Sequence, residues 1–135
     1  MNLDAGECMA RLQTSKRAVF GTVHGRRGVD AVPVVFAVRR GQIVLPIDTI
    51  KAKRGTRPQR LVNLAADPRC VLLADCYEAD WTRLWWVRVH ATGVESDLDP
   101  EDVTLFAERY PQYRAPGAVT RLIVLTPTEI RGWAA

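Results

Sequence analysis

Five cations fall within ten residues at the centre of the chain, in Lys51-Ala52-Lys53-Arg54-Gly55-Thr56-Arg57-Pro58-Gln59-Arg60, and no acid lies among them. The segment follows a strand pattern and precedes a helix pattern. A helix N-terminus has free backbone N–H groups and the positive end of the helix dipole. Those groups bind phosphate, and nearby Lys and Arg add charge-assisted hydrogen bonds. Cations at a helix N-terminus are unfavourable unless something anionic offsets them. Their density here points to a phosphate-bearing ligand held by Lys51, Lys53, Arg54 and Arg57. The plainer alternative is a solvated basic loop, because charge runs are usually only solvated faces.

A second constellation is the run Arg83-Leu84-Trp85-Trp86-Val87-Arg88-Val89-His90. In a strand, successive side chains point to opposite faces. Trp85, Val87, Val89 and Ala91 then share a wholly apolar face that should be core, and Leu84, Trp86, Arg88 and His90 share the other. Bulky residues on both faces imply a strand covered on both sides. In a small barrel the second cover would be a ligand or a second subunit. The competing reading is that Trp86 and Arg88 merely stack on each other at a rim.

Other reactive types carry less. His24 and His90 are the only histidines, and no sequence pattern pairs either with an orienting partner, so both read as structural. Ser15 and Ser96 lack a nucleophile-elbow context. There is no Walker loop and no Gly-x-Gly-x-x-Gly. Asp75, Glu78 and Asp80 read as a solvated loop near a strand end. Cys8, Cys70 and Cys76 form no Cys-x-x-Cys pair, which speaks against zinc and against a disulfide framework and leaves buried free thiols. No catalytic side chain and no metal site is assigned. The lack of acid–base groups suggests that any chemistry belongs to a bound cofactor.

The elements that must position these residues follow from periodicity. Asp4 to Gln13 predicts a helix capped by Asp4, with Ala5, Cys8, Met9 and Leu12 as its apolar stripe. Strands are expected over Ala18–His24, Ala31–Val38 and Gln42–Asp48, joined by short turns and hence antiparallel. Pro33 and Pro46 inside them should sit at an edge or a bulge. Arg57–Ala66 predicts a helix with Pro58 in its first turn and Leu61, Leu64 and Ala65 on its apolar face. Strands are expected again over Cys70–Cys76 and Arg83–Val94. A helix capped by Asp99 follows, with Val103, Phe106, Ala107 and Tyr110 inward, then a strand over Val119–Thr126 that Ile130–Trp133 could extend. The result is a mostly β chain with peripheral helices: a six-stranded antiparallel barrel, closed or nearly so, rather than a doubly wound sheet.

Composition agrees. The chain has 135 residues, 47% hydrophobic and 25% charged, which suits one globular domain over residues 1–135. No apolar run approaches the length of a membrane span. Met1–Lys16 lacks the apolar centre of a secretory signal, so a cytoplasmic protein is expected. The net charge of +4 fits an anionic ligand and, less well, nucleic acid.

The order of segments then becomes informative. It runs Pro33-Val34-Val35-Phe36, Asp48-Thr49-Ile50-Lys51-Ala52-Lys53-Arg54, Arg60-Leu61-Val62-Asn63-Leu64 and Asp67-Pro68-Arg69-Cys70-Val71. Asp80-Trp81-Thr82-Arg83-Leu84-Trp85-Trp86-Val87-Arg88-Val89 comes next, and Gly132-Trp133 ends it. This resembles the flavin-binding split β-barrel superfamily, the relatives of pyridoxamine 5'-phosphate oxidase. Within it, the chain looks most like the small actinobacterial branch that uses the deazaflavin coenzyme F420. The likeness covers roughly Leu12 to Trp133 and rests on order and spacing rather than on any single motif.

The resemblance implies an FMN-binding split-barrel type of fold and a homodimer with two cofactor sites at the subunit interface. It implies that Lys53 matches a phosphate-binding lysine flanked by Lys51 and Arg54. Pro46, Ile47 and Asp48 match the strand end that lies along the ring. Trp86 falls where the flavin oxidases carry a ring-contacting glutamine, Arg88 follows on the same face, and Trp133 is placed to reach the partner's site. There are departures. Ala52 stands where the oxidases carry an arginine, and no pyridoxal-recognition segment follows Gly132-Trp133. Both count against pyridoxamine phosphate oxidation.

The expected function is therefore an F420-dependent reductase that passes a hydride from the reduced deazaflavin to an electron-poor small molecule, with any proton coming from solvent. Five cations in ten residues suit the polyanionic deazaflavin tail better than a single phosphate. The alternatives are an FMN oxidoreductase on the same fold and a non-enzymatic protein that stores the deazaflavin or haem. A nucleic-acid binder ranks last, because its aromatics would have to lie exposed on one basic face.

Overall fold

The computed structural model describes residues 1–48 and 57–135. Lys51, Lys53 and Arg54 lie outside the described residues.

The chain opens with helix α1 (Ala5–Thr14), whose Asp4 cap accepts a 2.8 Å hydrogen bond from the Glu7 N–H. Strands β1 (Ala18–His24), β2 (Gly28–Val34), β3 (Ala37–Arg39) and β4 (Gln42–Asp48) follow. Helix α2 (Gln59–Ala66) and strands β5 (Arg69–Cys76) and β6 (Trp85–Ser96) come next. Helix α3 (Pro100–Arg109) and the long strand β7 (Val119–Ala134) complete the chain. All strands join one antiparallel sheet in the order β2-β1-β5-β6-β7-β4-β3.

Among the described residues there are seven strands rather than the expected six, and the sheet is not closed. The run expected as one strand over Ala31–Val38 breaks at Val35–Phe36, and β2 and β3 lie at opposite edges of the sheet. Three Cα steps span at most about 11 Å, so the two edges are close although they do not pair. Non-local contacts hold this break. The Phe36 side chain is fully buried, and its N–H donates to the Tyr110 hydroxyl at 3.2 Å. Arg109 Nε donates to the Phe36 carbonyl at 2.8 Å, and the same guanidinium reaches the carbonyls of Gln13 at 2.7 Å and Ser15. The end of α3 thus clasps the seam to the end of α1.

The prolines sit where their missing donors cost least. Pro33 lies on the edge strand β2, opposite Val19. Pro46 pairs with Leu122 of β7, while β3 reaches only Gln42–Val44 on the other flank. Pro127 falls at the β6–β7 register shift beside Ala91, which lets β7 continue as one strand of 16 residues. The β3–β4 turn places Arg40 and Gly41 at φ of 50° and 76°, the positive pair that a tight two-residue hairpin needs.

The core has two parts. The barrel interior takes one face of each long strand: Phe20, Ile43, Leu45, Leu72, Val87, Val89, Ile123 and Leu125, plugged by Cys8 and Leu12 of α1 and by Leu61 and Leu64 of α2. The outer faces of β4 and β7 bury Val44, Leu122 and Val124 against Phe106, Tyr110 and Tyr113. The helix faces differ in detail from their sequence patterns. Ala65 and Val103 are exposed, and Asn63 is buried instead, where its amide donates to Thr22 Oγ1 at 3.0 Å and Asp30 Oδ2 at 2.9 Å. Helix α2 begins at Gln59, with Pro58 as a cap that offers no side chain. Asp102 completes a capping box with Asp99 and lies 3.2 Å from Arg39 Nε. Among the described residues no helix is long and apolar enough to cross a membrane.

Candidate functional site

The pairing of β5, β6 and β7 sets two rows of side chains on the outer face of the sheet. Asp75, Trp86 and Trp133 stand directly across from one another, and Leu73, Arg88 and Arg131 form the next row. Val87 and Val89, between them in sequence, point into the core, as the alternation predicts. Trp85 is half-buried at the margin of that core, under the Arg11 guanidinium.

These rows form a cleft of about 460 Å³ lined by Leu73, Asp75, Tyr77, Leu84, Trp85, Trp86, Arg88 and Trp133. Its walls are mainly aromatic and aliphatic, with one cation and one carboxylate. Gly132 makes this possible. A Cβ there would come within 2.7 Å of Cys8 Sγ, so only glycine lets α1 pack on β7 while Trp133 turns outward. The adjacent Tyr77–Trp81 pair meets edge to face at 6.2 Å, with both rings largely exposed.

Arg88 is the unusual member. Its guanidinium lies over the Trp86 ring at 5.3 Å. The stacking foreseen as the plain alternative therefore exists. It does not satisfy the arginine, however: Nε is buried and has no hydrogen-bond partner among the described residues. A buried donor without a partner is uncommon in folded proteins.

Arg57, the first described residue of the basic segment, lies in a different part of the molecule. Arg57, just before α2, pairs with Glu95 near the end of β6. Arg121 of β7 reaches the same carboxylate at 2.5 Å and also pairs with Asp97. Arg121 stands opposite Ile47 of β4. Hydrogen bonds from Arg121 and Arg57 hold the Glu95 carboxyl below its ordinary range. One strand position further, Asp48 accepts a 2.5 Å hydrogen bond from the Tyr113 hydroxyl. Burial first, and then that hydrogen bond, push the Tyr113 phenol well above its ordinary range. Burial pulls the nearby Arg60 guanidinium downward, and the charge of Asp48 opposes the shift.

The sequence-derived site residues thus fall into two groups. Trp86 and Arg88 meet in the cleft, with Trp133 beside them. Pro46, Ile47, Asp48 and Arg57 gather at the other end of β6 and β7. Pro46 is buried, and Ile47 packs on the core. From Arg121 to Trp133 runs roughly 40 Å of strand at about 3.3 Å per residue. Within the chain, the described residues of the two groups are not brought together.

Several residues of both groups escaped the sequence reading. Asp75 belongs to β5 and lines the cleft rather than a solvated loop; its alternation with Leu73 was the available signal. Arg121 and Glu95 meet only through the β6–β7 register, and Tyr113 reaches Asp48 across 65 residues. His24 has a structural role: its Nδ1 accepts from the N–H groups of Arg26 and Arg27 in the β1–β2 turn. Cys8 and Cys70 are buried free thiols, as expected, and burial pushes the Cys70 thiol up to about 12. Cys76 is free but only half-buried.

No protein-family model matches the chain, and no curated protein matches it. Solved structures do. A conserved hypothetical protein from Mycobacterium tuberculosis superposes with a TM-score of 0.76 at 19% identity, over 98% of this chain and 85% of that one. An FAD-binding protein from Mycobacterium smegmatis gives 0.66 at 18%, over 98% and 97%. A candidate pyridoxamine 5'-phosphate oxidase from Corynebacterium glutamicum gives 0.62 at 19%, over 98% and 90%. The chain therefore has the antiparallel split-barrel fold of FAD-binding and pyridoxamine 5'-phosphate oxidase-like proteins, the fold expected from its order of segments.

Proposed function

We propose that the protein is an oxidoreductase that uses coenzyme F420 to reduce an electron-poor small molecule, and that it works as a homodimer. The observation that carries this reading is the aromatic cleft with the unpartnered Nε of Arg88 in its wall. A planar heteroaromatic ring with carbonyl oxygens fits that combination. Its face suits tryptophan, and a carbonyl can accept from the buried N–H.

The separation of the two residue groups supports the dimer. A phosphate-bearing tail calls for the basic end, and the ring calls for the cleft. A second copy laid on the outer face would bring one protomer's basic end to its partner's cleft. The outer face suits such contact. Val19, Leu73 and Arg88 lie in one cross-strand row, and Val19 and Leu73 are exposed.

In this site the bound deazaflavin supplies the hydride chemistry. Trp86 and Trp133 hold a planar group in place and exclude water. Arg88 donates from Nε and balances negative charge. Arg57, with Lys51, Lys53 and Arg54, anchors the anionic tail. The first turn of α2 carries neither an acidic residue nor a side-chain cap, so no acid of its own opposes an anion there. The protein's part is position, charge and a dry pocket. A second reading, a flavin nucleotide in place of the deazaflavin, draws on the fold neighbours named as FAD-binding.

A tryptophan-fluorescence titration tests both, with F420, FMN and FAD in parallel. Saturable quenching by F420, lost in Trp86→Phe and weakened in Lys53→Ala, is the expected result. Quenching by FMN or FAD alone moves the protein to the flavin reading. Quenching by none of the three removes both.

A further inference from the structure

The two arginines at the basic end converge on one carboxylate. Arg57 comes from the approach to α2, Arg121 from β7 and Glu95 from β6. Three separate elements therefore place two guanidinium groups around a pair of oxygens. That arrangement would serve equally for an incoming phosphate or carboxylate. The arginines are not buried: 54% of the Arg57 side chain and 42% of the Arg121 side chain is exposed, against 20% for Glu95. An anion from solvent can therefore reach both arginines.

We propose that Glu95 is an internal competitor for this anion site, and that Arg121 is a specificity residue of the site alongside Arg57. The inference rests on the reading that the basic end takes an anionic ligand. With no ligand present, Glu95 occupies the two guanidinium groups. A ligand phosphate replaces Glu95, so each arginine exchanges one anionic partner for another. Asp97, 93% exposed and paired with Arg121, is a second carboxylate that a ligand must displace from that guanidinium. The site thereby selects for multiply charged anions over monoanions such as acetate, because only a polyanion outcompetes the resident carboxylate.

The test is calorimetric titration of the full-length protein with inorganic pyrophosphate, and with acetate as the monoanion. In Glu95→Gln, which keeps the shape and removes the charge, pyrophosphate binds about tenfold tighter than to wild type. Acetate binding becomes detectable. Arg121→Gln binds pyrophosphate more weakly than wild type, and the double variant loses the gain of Glu95→Gln. Thermal melts confirm that each variant is folded. A folded Glu95→Gln with unchanged or weaker pyrophosphate affinity overturns the proposal and leaves Glu95 as a brace between β6, β7 and α2. So does an Arg121→Gln variant that binds as wild type does. Because pyrophosphate has no ring, the cofactor assignment is judged separately. If F420 and flavins fail to quench while this pattern holds, the gate stands and the proposed function falls.

Discussion

The two ends of the paired strands β6 and β7 are built on opposite physical principles. At the Trp86–Trp133 end, three tryptophans, a tyrosine and two leucines surround a single arginine whose buried Nε lacks a partner. At the Glu95–Arg121 end the charges interlock: Arg57, Arg121, Glu95 and Asp97 satisfy one another, and Asp48 engages Tyr113. One end has apolar area to offer and an unmet polar need. The other has its needs met internally and must exchange partners to bind anything. A ligand with both a ring and a phosphate would have to draw on both ends, which lie far apart along β6 and β7.

The sharpest way to break this comparison is to alter one end and read both parts of a ligand. On the flavin reading, Trp86→Ala should weaken FMN and riboflavin equally, by about 2 kcal/mol or roughly 30-fold, because stacking does not depend on the phosphate. Parallel titrations of the two ligands check this; a loss confined to FMN would place the ring elsewhere. Gly132→Ala should act only at the aromatic end. It forces α1 off β7 and should cost about 2 kcal/mol of stability, seen as a lower denaturant midpoint. On the same flavin reading, Arg57→Gln should weaken FMN about fivefold and leave riboflavin unchanged, with the difference vanishing at high salt.

The smallest effect is the pH response of the ionic end. Glu95 is held below the ordinary glutamate value near 4.5, so its contribution is complete above that value and is lost as pH falls through the lower, folded one. The melting temperature of wild type should exceed that of Glu95→Gln by on the order of 1–2 °C at neutral pH. The gap should close in the acid range. A gap that persists at low pH would assign Glu95 a role in packing rather than charge.

Much of this molecule was legible because the controlling forces are local. Asp99 and Pro100 announce α3 through a cap and a first turn, and the Trp85–Ala91 alternation announces which face of β6 is core. Trp86 and Arg88 could be placed together from spacing alone. What escaped depends on residues far apart in sequence. The break at Val35–Phe36 lies inside an unbroken apolar run, and it is imposed by Tyr110 and Arg109 more than 70 residues away. The expected strand over Val119–Thr126 and its extension over Ile130–Trp133 are one continuous β7, because a register shift opposite Ala91 accommodates Pro127. Arg121 and Glu95 become neighbours only once the β6–β7 register is known. Periodicity showed which way Arg88 points, but the absence of a partner for its Nε emerges only from the packed structure.

The seam between β2 and β3 has a consequence for the unfolding of this barrel. Two sheet margins that come close without pairing are templates for other chains. Here they are blunted by Pro33 on one side and by a strand of only three residues on the other. What keeps the margins apart from strangers is the Arg109–Tyr110 clasp rather than a ladder of hydrogen bonds. Opening this clasp would free both margins before the barrel interior is disturbed. Self-association on heating would then begin at the seam, ahead of any loss of the hydrophobic core.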